Sequence, residues 1–518
     1  MGVMKQVTRA LASVAHDNPV IAIILVVVIV IVARSVYRGS RLHGLYAVPG
    51  PVIPRLTSTW LNYHAFIADE CTAVHRLHEK YGPIVRTGPN SVDIADGAVL
   101  DTIYMEKGGF LKPEFYRNFD IDGHATIFTS TDPSYRALRA KAVNPLFSTA
   151  NLRGGASLLA ASSQGFTERL RRETARAKTA DGKVNILALT RGFALDSLTS
   201  YLLRRRYGAT DEDIVKQNGE AESKSGKAGD SSMSASSMVD SFVGVGKSWY
   251  LPIWAFQTYE RFMGTILPDP QVDQSMACVD TFLKGVLDQA KQEVAQETTA
   301  QPATSFPARL LKAGFSDSEV TAQCKDLVFA GTDSTAMNLA TICFMLCKHP
   351  AVYQALRREI LAQGPSHPDP SSLPYLQAVI REGLRLSMAN PTRLPRLVPA
   401  AGFRYGDYFL PQGTVVSCTP FELHLNGKVF QDPQEFKPER WLDDANPSEE
   451  MKRDMIPFGR GTRQCIARNL AMTELNTVVS KIAAQNALEG LKNVGDRIEI
   501  GEWFNSYVLG HKIELYVD

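Results

Sequence analysis

Phe458-Gly459-Arg460-Gly461-Thr462-Arg463-Gln464-Cys465-Ile466-Ala467 is the stretch on which the reading of this chain turns. Two glycines ahead of a cysteine predict a tight turn that brings backbone amides near the sulfur. Behind it, Ile466, Leu470, Leu475, Val478, Val479 and Ile482 recur mostly three and four apart and predict a helix over 466–484. Cys465 then stands at a helix N-terminus, where orphan N–H groups and the helix dipole favour a thiolate. Nucleophile, metal ligand and buried cysteine beside a glycine turn are all open to it. A nucleophile needs a base, and no histidine lies close in sequence.

An axial ligand to haem iron needs only an anionic sulfur, a shielding aromatic ring and cations for the propionates; Cys465, Phe458 and Arg463 provide that set. The segment resembles the cysteine-ligand loop of the cytochrome P450 haem-thiolate monooxygenases, Phe-x-x-Gly-x-Arg-x-Cys-x-Gly. Phe458, Gly461, Arg463 and Cys465 match; Ala467 replaces the last glycine and keeps a small residue there. The resemblance implies a mainly α architecture, the cytochrome P450 fold, with a large helical domain and a small β-rich portion. It also implies haem b (iron protoporphyrin IX), with Cys465 as axial ligand to its iron.

At 518 residues the chain can bury a large core, and 56 Lys+Arg against 54 Asp+Glu leave no global charge bias toward nucleic acid. Seven cysteines, an odd and scattered set, do not form a disulfide framework. Cys343 and Cys347 lack a second ligand pair and read as small apolar residues in a helix.

Residues 20–33 form an unbroken apolar run between Pro19 and Arg34. Its 14 residues fall short of the roughly 20 that cross a bilayer, so the expectation is an anchor that is tilted or set in a thin membrane. Arg34, Arg38 and Arg41 after the run, against Lys5 and Arg9 before it, put the main domain on the cytosolic side. A cleaved signal peptide is the competing reading; basic residues rather than a small-x-small site follow the run. Pro49, Pro51 and Pro54 predict a stiff hinge. The expected organisation is a lead over 1–19, a transmembrane anchor over 20–33, a basic and proline-rich linker over 34–54, and a catalytic domain over 55–518. A flexible insertion is expected at 216–237, which is rich in Ser, Gly and charge. The resemblance implies a single-pass protein of the endoplasmic reticulum membrane.

Further along, a helix is expected over 65–81, a hairpin from 84 to 94, and a loop over 110–131 that either covers the active site or is ordinary surface. Tyr135 and Arg139 occupy the positions of the family's Trp-x-x-x-Arg pair, whose side chains reach the haem propionates. Ser316 and Glu319 have capping-box spacing and open a helix that runs to about Lys348, roughly 45 Å long. Within it, Gly331-Thr332-Asp333-Ser334-Thr335 breaks the apolar pattern and predicts a local widening. Ala330 to Thr335 resembles the family's oxygen-activation segment. That implies Asp333 as a proton relay from bulk and Ser334, where threonine is usual, as the hydroxyl that holds water near reduced dioxygen.

Glu382 and Arg385 share a helix face and resemble the family's Glu-x-x-Arg, completed by Arg440 in Phe436-Lys437-Pro438-Glu439-Arg440-Trp441. These three are assigned to structure. Arg396 resembles the arginine that meets a propionate, with Arg393 as runner-up. A terminal hairpin is expected over 498–517. Phe119, Ile127, Phe128, Phe329, Trp503 and Phe504 are candidate pocket walls for an apolar substrate.

The function implied is insertion of one atom of dioxygen into an apolar small molecule, with electrons from NADPH through a cytochrome P450 reductase and a possible contribution from cytochrome b5. Arg460 and Lys141 are candidates for the docking patch. The general style is that of fungal members that tailor terpenoids or polyketides. The alternatives are a same-fold isomerase or dehydratase, and a non-catalytic haem-binding membrane protein.

Overall fold

The computed structural model describes residues 19–39, 44–179, 182–211, 239, 243–267, 270–298, 304–364, 369–442 and 445–517. The expected insertion at 216–237 and most of the 1–19 lead lie outside these residues. The helices that matter for the site are α1 (Pro19–Gly39), α2 (Glu70–Tyr81), α3 (Pro133–Val143), α4 (Ile186–Leu198), α5 (Ile253–Ile266), α6 (Asp317–Lys348), α7 (Pro374–Ser387) and α8 (Arg468–Ala484).

α1 contains the apolar run, and its described apolar side chains from Val20 to Val32 are exposed. Only 14 of its residues are consecutively apolar; among the described residues no helix is long and apolar enough to cross a membrane. The linker departs from the expected hinge. Leu45 and Val48 are fully buried, the Arg86 N–H donates to the Pro49 carbonyl (2.7 Å), and Val52–Leu56 is a short helix. Proline stiffness here serves docking onto the first strand rather than free articulation. The helix expected over 65–81 is two, Thr59–Phe66 and α2, broken at Ala68, whose φ of 63° leaves the helical region.

α6 is the centre of the fold. Its 32 residues span about 48 Å, and from Ala336 to Phe344 every residue is buried, the behaviour of a helix with neighbours on all sides. Ser316 caps it by accepting the Glu319 N–H (3.4 Å). The other half of the capping box is absent, because the Glu319 side chain turns to α3. The expected widening near Gly331 does not occur; α6 is continuous α-helix. Gly331 is instead a packing glycine, since a Cβ there would lie 2.1 Å from Leu198 Cδ1 on α4. α4, α7 and α8 pack around α6 through Phe193, Ile342, Leu346, Val379, Leu475 and Val478.

The β portion is small. Ile84–Gly88 and Ser91–Ile94 form the expected hairpin; Val415–Ser417 pairs parallel to the second strand and carries Arg396–Leu397 on its far side. This edge strand sets the position of Arg396. The terminal hairpin is only partly as expected. Ile500–Gly501 pairs with Tyr507–Val508, but Glu514–Val517 joins Lys183–Asn185 and Leu491–Asn493 instead.

Candidate active site

Cys465 lies three residues ahead of α8, in the turn rather than the first helical residues, because the helix begins at Arg468 with Ala467 as its N-cap. Its own N–H donates to the Phe458 carbonyl (2.9 Å), which closes the loop. The Ala467 N–H is directed at the sulfur. Enclosure by protein pushes the thiol pKa up, and that N–H pulls it partly back. Cys465 is nevertheless exposed, so its surface faces open volume inside the protein. Gly461 explains the second glycine of the motif. Its φ is +73°, and a Cβ there would lie 1.8 Å from the Tyr104 carbonyl oxygen. Phe458 packs on the main core from the edge of the loop.

Four cations converge beside this loop. Among the described residues, buried Nη1 and Nη2 of Arg463 have no hydrogen-bond partner. Burial, then Arg136 and Arg396, lower its pKa to about 10. Burial followed by Arg396, Arg463 and Arg136 pushes Lys112 well below its usual range, and burial lowers Arg136. Arg396 lies 5.1 Å over the Tyr104 ring and donates to the Pro395 carbonyl (2.8 Å). Like charges held together in an interior, with a guanidinium left unsatisfied, call for an anionic partner. A flat group with two carboxylates and a metal facing the Cys465 sulfur meets both requirements, so the residues present fit haem.

The expected propionate pair is corrected. The Tyr135 hydroxyl donates to Glu319 (2.8 Å) and also lies 2.8 Å from the Ala125 carbonyl. Arg139 forms an ion pair with Glu319, its guanidinium 3.2 Å from the Tyr135 ring centroid. Both residues tie α3 to the start of α6. Arg136 takes the cavity side, because neighbouring helix residues point about 100° apart and Glu319 claims the other face. Arg393, the runner-up to Arg396, is fully occupied by a buried ion pair with Glu70 (2.9 Å). Arg136 and Lys112 escaped the sequence reading; the only available signal was a second basic residue on each segment.

On α6, Asp326, Ala330 and Ser334 follow at four-residue spacing and form one face. Ala330 is exposed mid-helix, Asp326 is partly exposed, and Ser334 is partly exposed between buried Asp333 and Thr335. This face borders the open volume. The Ser334 hydroxyl donates to the Ala330 carbonyl (2.7 Å), the back-bonding expected for a helical hydroxyl. Asp333 is turned the other way. Buried, it accepts from Arg191 Nε (3.2 Å) and Nη2 (3.0 Å) on α4, so it is not positioned as a relay from bulk.

Of the pocket candidates, Phe128 and Phe504 remain partly exposed, with ring centroids 5.2 Å apart. Phe119 backs them in an aromatic cluster with Tyr116 and Trp249. Phe329 and Ile127 are core residues, and Trp503 stacks on Tyr507 (4.3 Å) within the same cluster. An apolar groove of about 600 Å³, lined by Phe115, Tyr250, Pro252, Ile253 and Trp254, opens at the start of α5, away from Cys465.

Glu382 is fully buried and accepts from Arg385 Nη2 (2.7 Å), Arg440 Nε (3.1 Å) and the Trp441 indole N–H (2.8 Å). Arg385 also donates to the His424 and Pro433 carbonyls. The sequence brings the three expected residues together, and the network ties α7 to the segment that leads into the cysteine loop.

Residues 51–485 match the family model described as Cytochrome P450. The chain is 36% identical over 500 residues to cytochrome P450 monooxygenase mfmF of Annulohypoxylon moriforme, covering 94% of this chain and 98% of that protein. It is 29% identical over 454 residues to cytochrome P450 monooxygenase orf2 of Aspergillus niger, 85% of each. Over 487 residues it is 27% identical to the fusicoccadiene C-8 hydroxylase of Alternaria brassicicola, 86% of this chain and 85% of that one.

Proposed function

This chain belongs to the cytochrome P450 family of haem-thiolate monooxygenases, and from that premise we propose that it oxidises a largely apolar small molecule in fungal secondary metabolism. Haem b, when bound, supplies dioxygen activation and oxygen-atom transfer. Cys465 would hold its iron, with the Ala467 N–H stabilising negative charge on the sulfur. Arg463, Arg136, Arg396 and Lys112 would hold its carboxylates. Phe128 and Phe504 would exclude water from the pocket, and Ser334 supplies a hydroxyl able to exchange its Ala330 bond for one to water. The observation that carries this reading is the buried, unpartnered Arg463 guanidinium beside the cavity-facing Cys465.

The remaining parts of the proposal are the membrane and the electron source. The exposed apolar residues of α1, followed by Arg34, support anchorage in the endoplasmic reticulum membrane with the catalytic domain cytosolic. Electrons come from NADPH through a cytochrome P450 reductase, with cytochrome b5 as a second donor. Lys141 and Arg460 are docking candidates, Arg460 already engaging Asp101 (2.6 Å). The Asp333–Arg191 clamp favours one second reading, a same-fold isomerase or dehydratase that needs no proton relay. Product formation that requires reductase and NADPH decides between the two.

The first test is the visible spectrum of the dithionite-reduced, carbon monoxide-treated protein beside Cys465→Ser. A strongly red-shifted Soret band that the substitution abolishes is expected. Absence of haem, or a band indifferent to Cys465, overturns the reading.

A further inference from the structure

We propose that His424 is a positioning residue for the cysteine ligand, its imidazole holding the limb of chain that enters the cysteine loop; this rests on the monooxygenase reading above. His424 ends the short helix Pro420–His424 and is 2% exposed. The Ile456 N–H donates to its Nε2 at 3.0 Å. A ring nitrogen that receives an N–H carries no proton itself, so this contact places the ring's proton on Nδ1. Burial, then the Arg385 charge, lower the His424 pKa to about 3, which keeps the acceptor lone pair available at neutral pH.

The same residue is gripped through its backbone. Arg385 Nη1 donates to the His424 carbonyl (2.8 Å), while Nη2 of that guanidinium donates to Glu382 (2.7 Å). His424 therefore carries the position of the buried Glu382–Arg385–Arg440 network across to Ile456. From there local bonds reach the ligand. The Gly459 N–H donates to the Ile456 carbonyl (2.9 Å), and the Cys465 N–H to the Phe458 carbonyl (2.9 Å). Pro457 between them has no N–H to offer and a fixed φ, so a displacement at Ile456 passes on to Phe458. Packing alone would not need a lone pair here. An apolar ring of similar size would fill the space and leave the Ile456 N–H buried without its partner.

The test compares His424→Gln, His424→Asn and His424→Phe in the full-length, haem-loaded protein. The Gln amide oxygen reaches about where Nε2 lies, whereas Asn is one methylene shorter and Phe has no acceptor. Two readouts are taken: the Soret position of the reduced, carbon monoxide-treated protein, and amide hydrogen exchange over 455–465 by mass spectrometry. Denaturant midpoints are measured alongside. Wild type and His424→Gln are expected to keep the red-shifted band. His424→Asn and His424→Phe should move more than about half of it to the unshifted position and speed exchange over 455–465 at least about tenfold. Asn and Phe variants that unfold more easily yet keep both the band and the slow exchange would make His424 a packing residue and overturn the proposal. A Gln variant that behaves like the Phe variant would overturn it as well, since acceptor capacity would then be irrelevant. Should His424→Phe not fold, Gln against Asn decides, because equal bands and equal exchange in those two also overturn it. A wild-type protein without the red-shifted band sinks the monooxygenase reading itself; a band indifferent to His424 sinks only this inference.

Discussion

Replacing Arg191 by Met exposes how much of the central helix rests on one buried ion pair. Arg191 and Asp333 are 2% and 5% exposed, and both guanidinium contacts go to the same oxygen at 3.2 and 3.0 Å. Two unit charges about 3 Å apart attract by roughly 5 kcal/mol at an effective dielectric near 20. Much of that attraction offsets the desolvation of the two ions, so the net worth of the pair is smaller. Removing one partner is a different matter, because the Asp333 carboxylate then loses both guanidinium hydrogen bonds in an interior that solvates charge poorly. Arg191→Met is therefore expected to cost about 3–5 kcal/mol. Arg191→Met combined with Asp333→Leu buries no charge and should recover most of the loss, giving a coupling of at least about 2 kcal/mol. Equilibrium urea denaturation of the four proteins, followed by far-ultraviolet circular dichroism, measures this. A single-variant cost under about 1 kcal/mol, or a double variant equal to the sum of the singles within about 0.5 kcal/mol, refutes the reasoning.

Three further outcomes are expected. Gly461→Ala forces a Cβ into the Tyr104 carbonyl at a left-handed φ, so the cysteine loop should rebuild and haem content should fall by more than half on a pyridine haemochrome assay, whereas Gly427→Ala, with only the Pro433 ring near 4 Å, should be neutral. Arg136→Ala should speed haem transfer to apomyoglobin several-fold, and Arg139→Ala should leave that rate unchanged while lowering the denaturation midpoint, because only the former belongs to the cation cluster. Glu474 is buried and its pKa is raised to about 8 by that burial. The folded state then binds more protons than the unfolded one between about pH 4.5 and 8, so this group's contribution to stability is greatest below that window and declines as pH rises through it. Glu474→Gln should therefore stabilise the protein at pH 8 and have little effect near pH 5, read as denaturant midpoints at the two values.

Local patterns made a good part of this protein legible. The cysteine loop, the capped start of α6 and the Glu382–Arg385 spacing are contiguous or within one helical turn, so covalent geometry alone brings their residues together. Arg440 joined them through a family resemblance, and buried Glu382 accepting from both arginines and Trp441 shows the physical reason. What remained undecided was orientation. Tyr135, Arg136 and Arg139 share a short helix, and nothing in its own periodicity says which face looks inward. Glu319, 180 residues away from Arg139, settled that by drawing off two of them. Arg191 did the same to Asp333, Glu70 to Arg393, and Leu198 gave Gly331 a packing role in place of a helix opening. The chain by itself determined which chemical groups exist and which near neighbours share a face; the partners that claim those faces lie far away in sequence, and only the packed structure decided them.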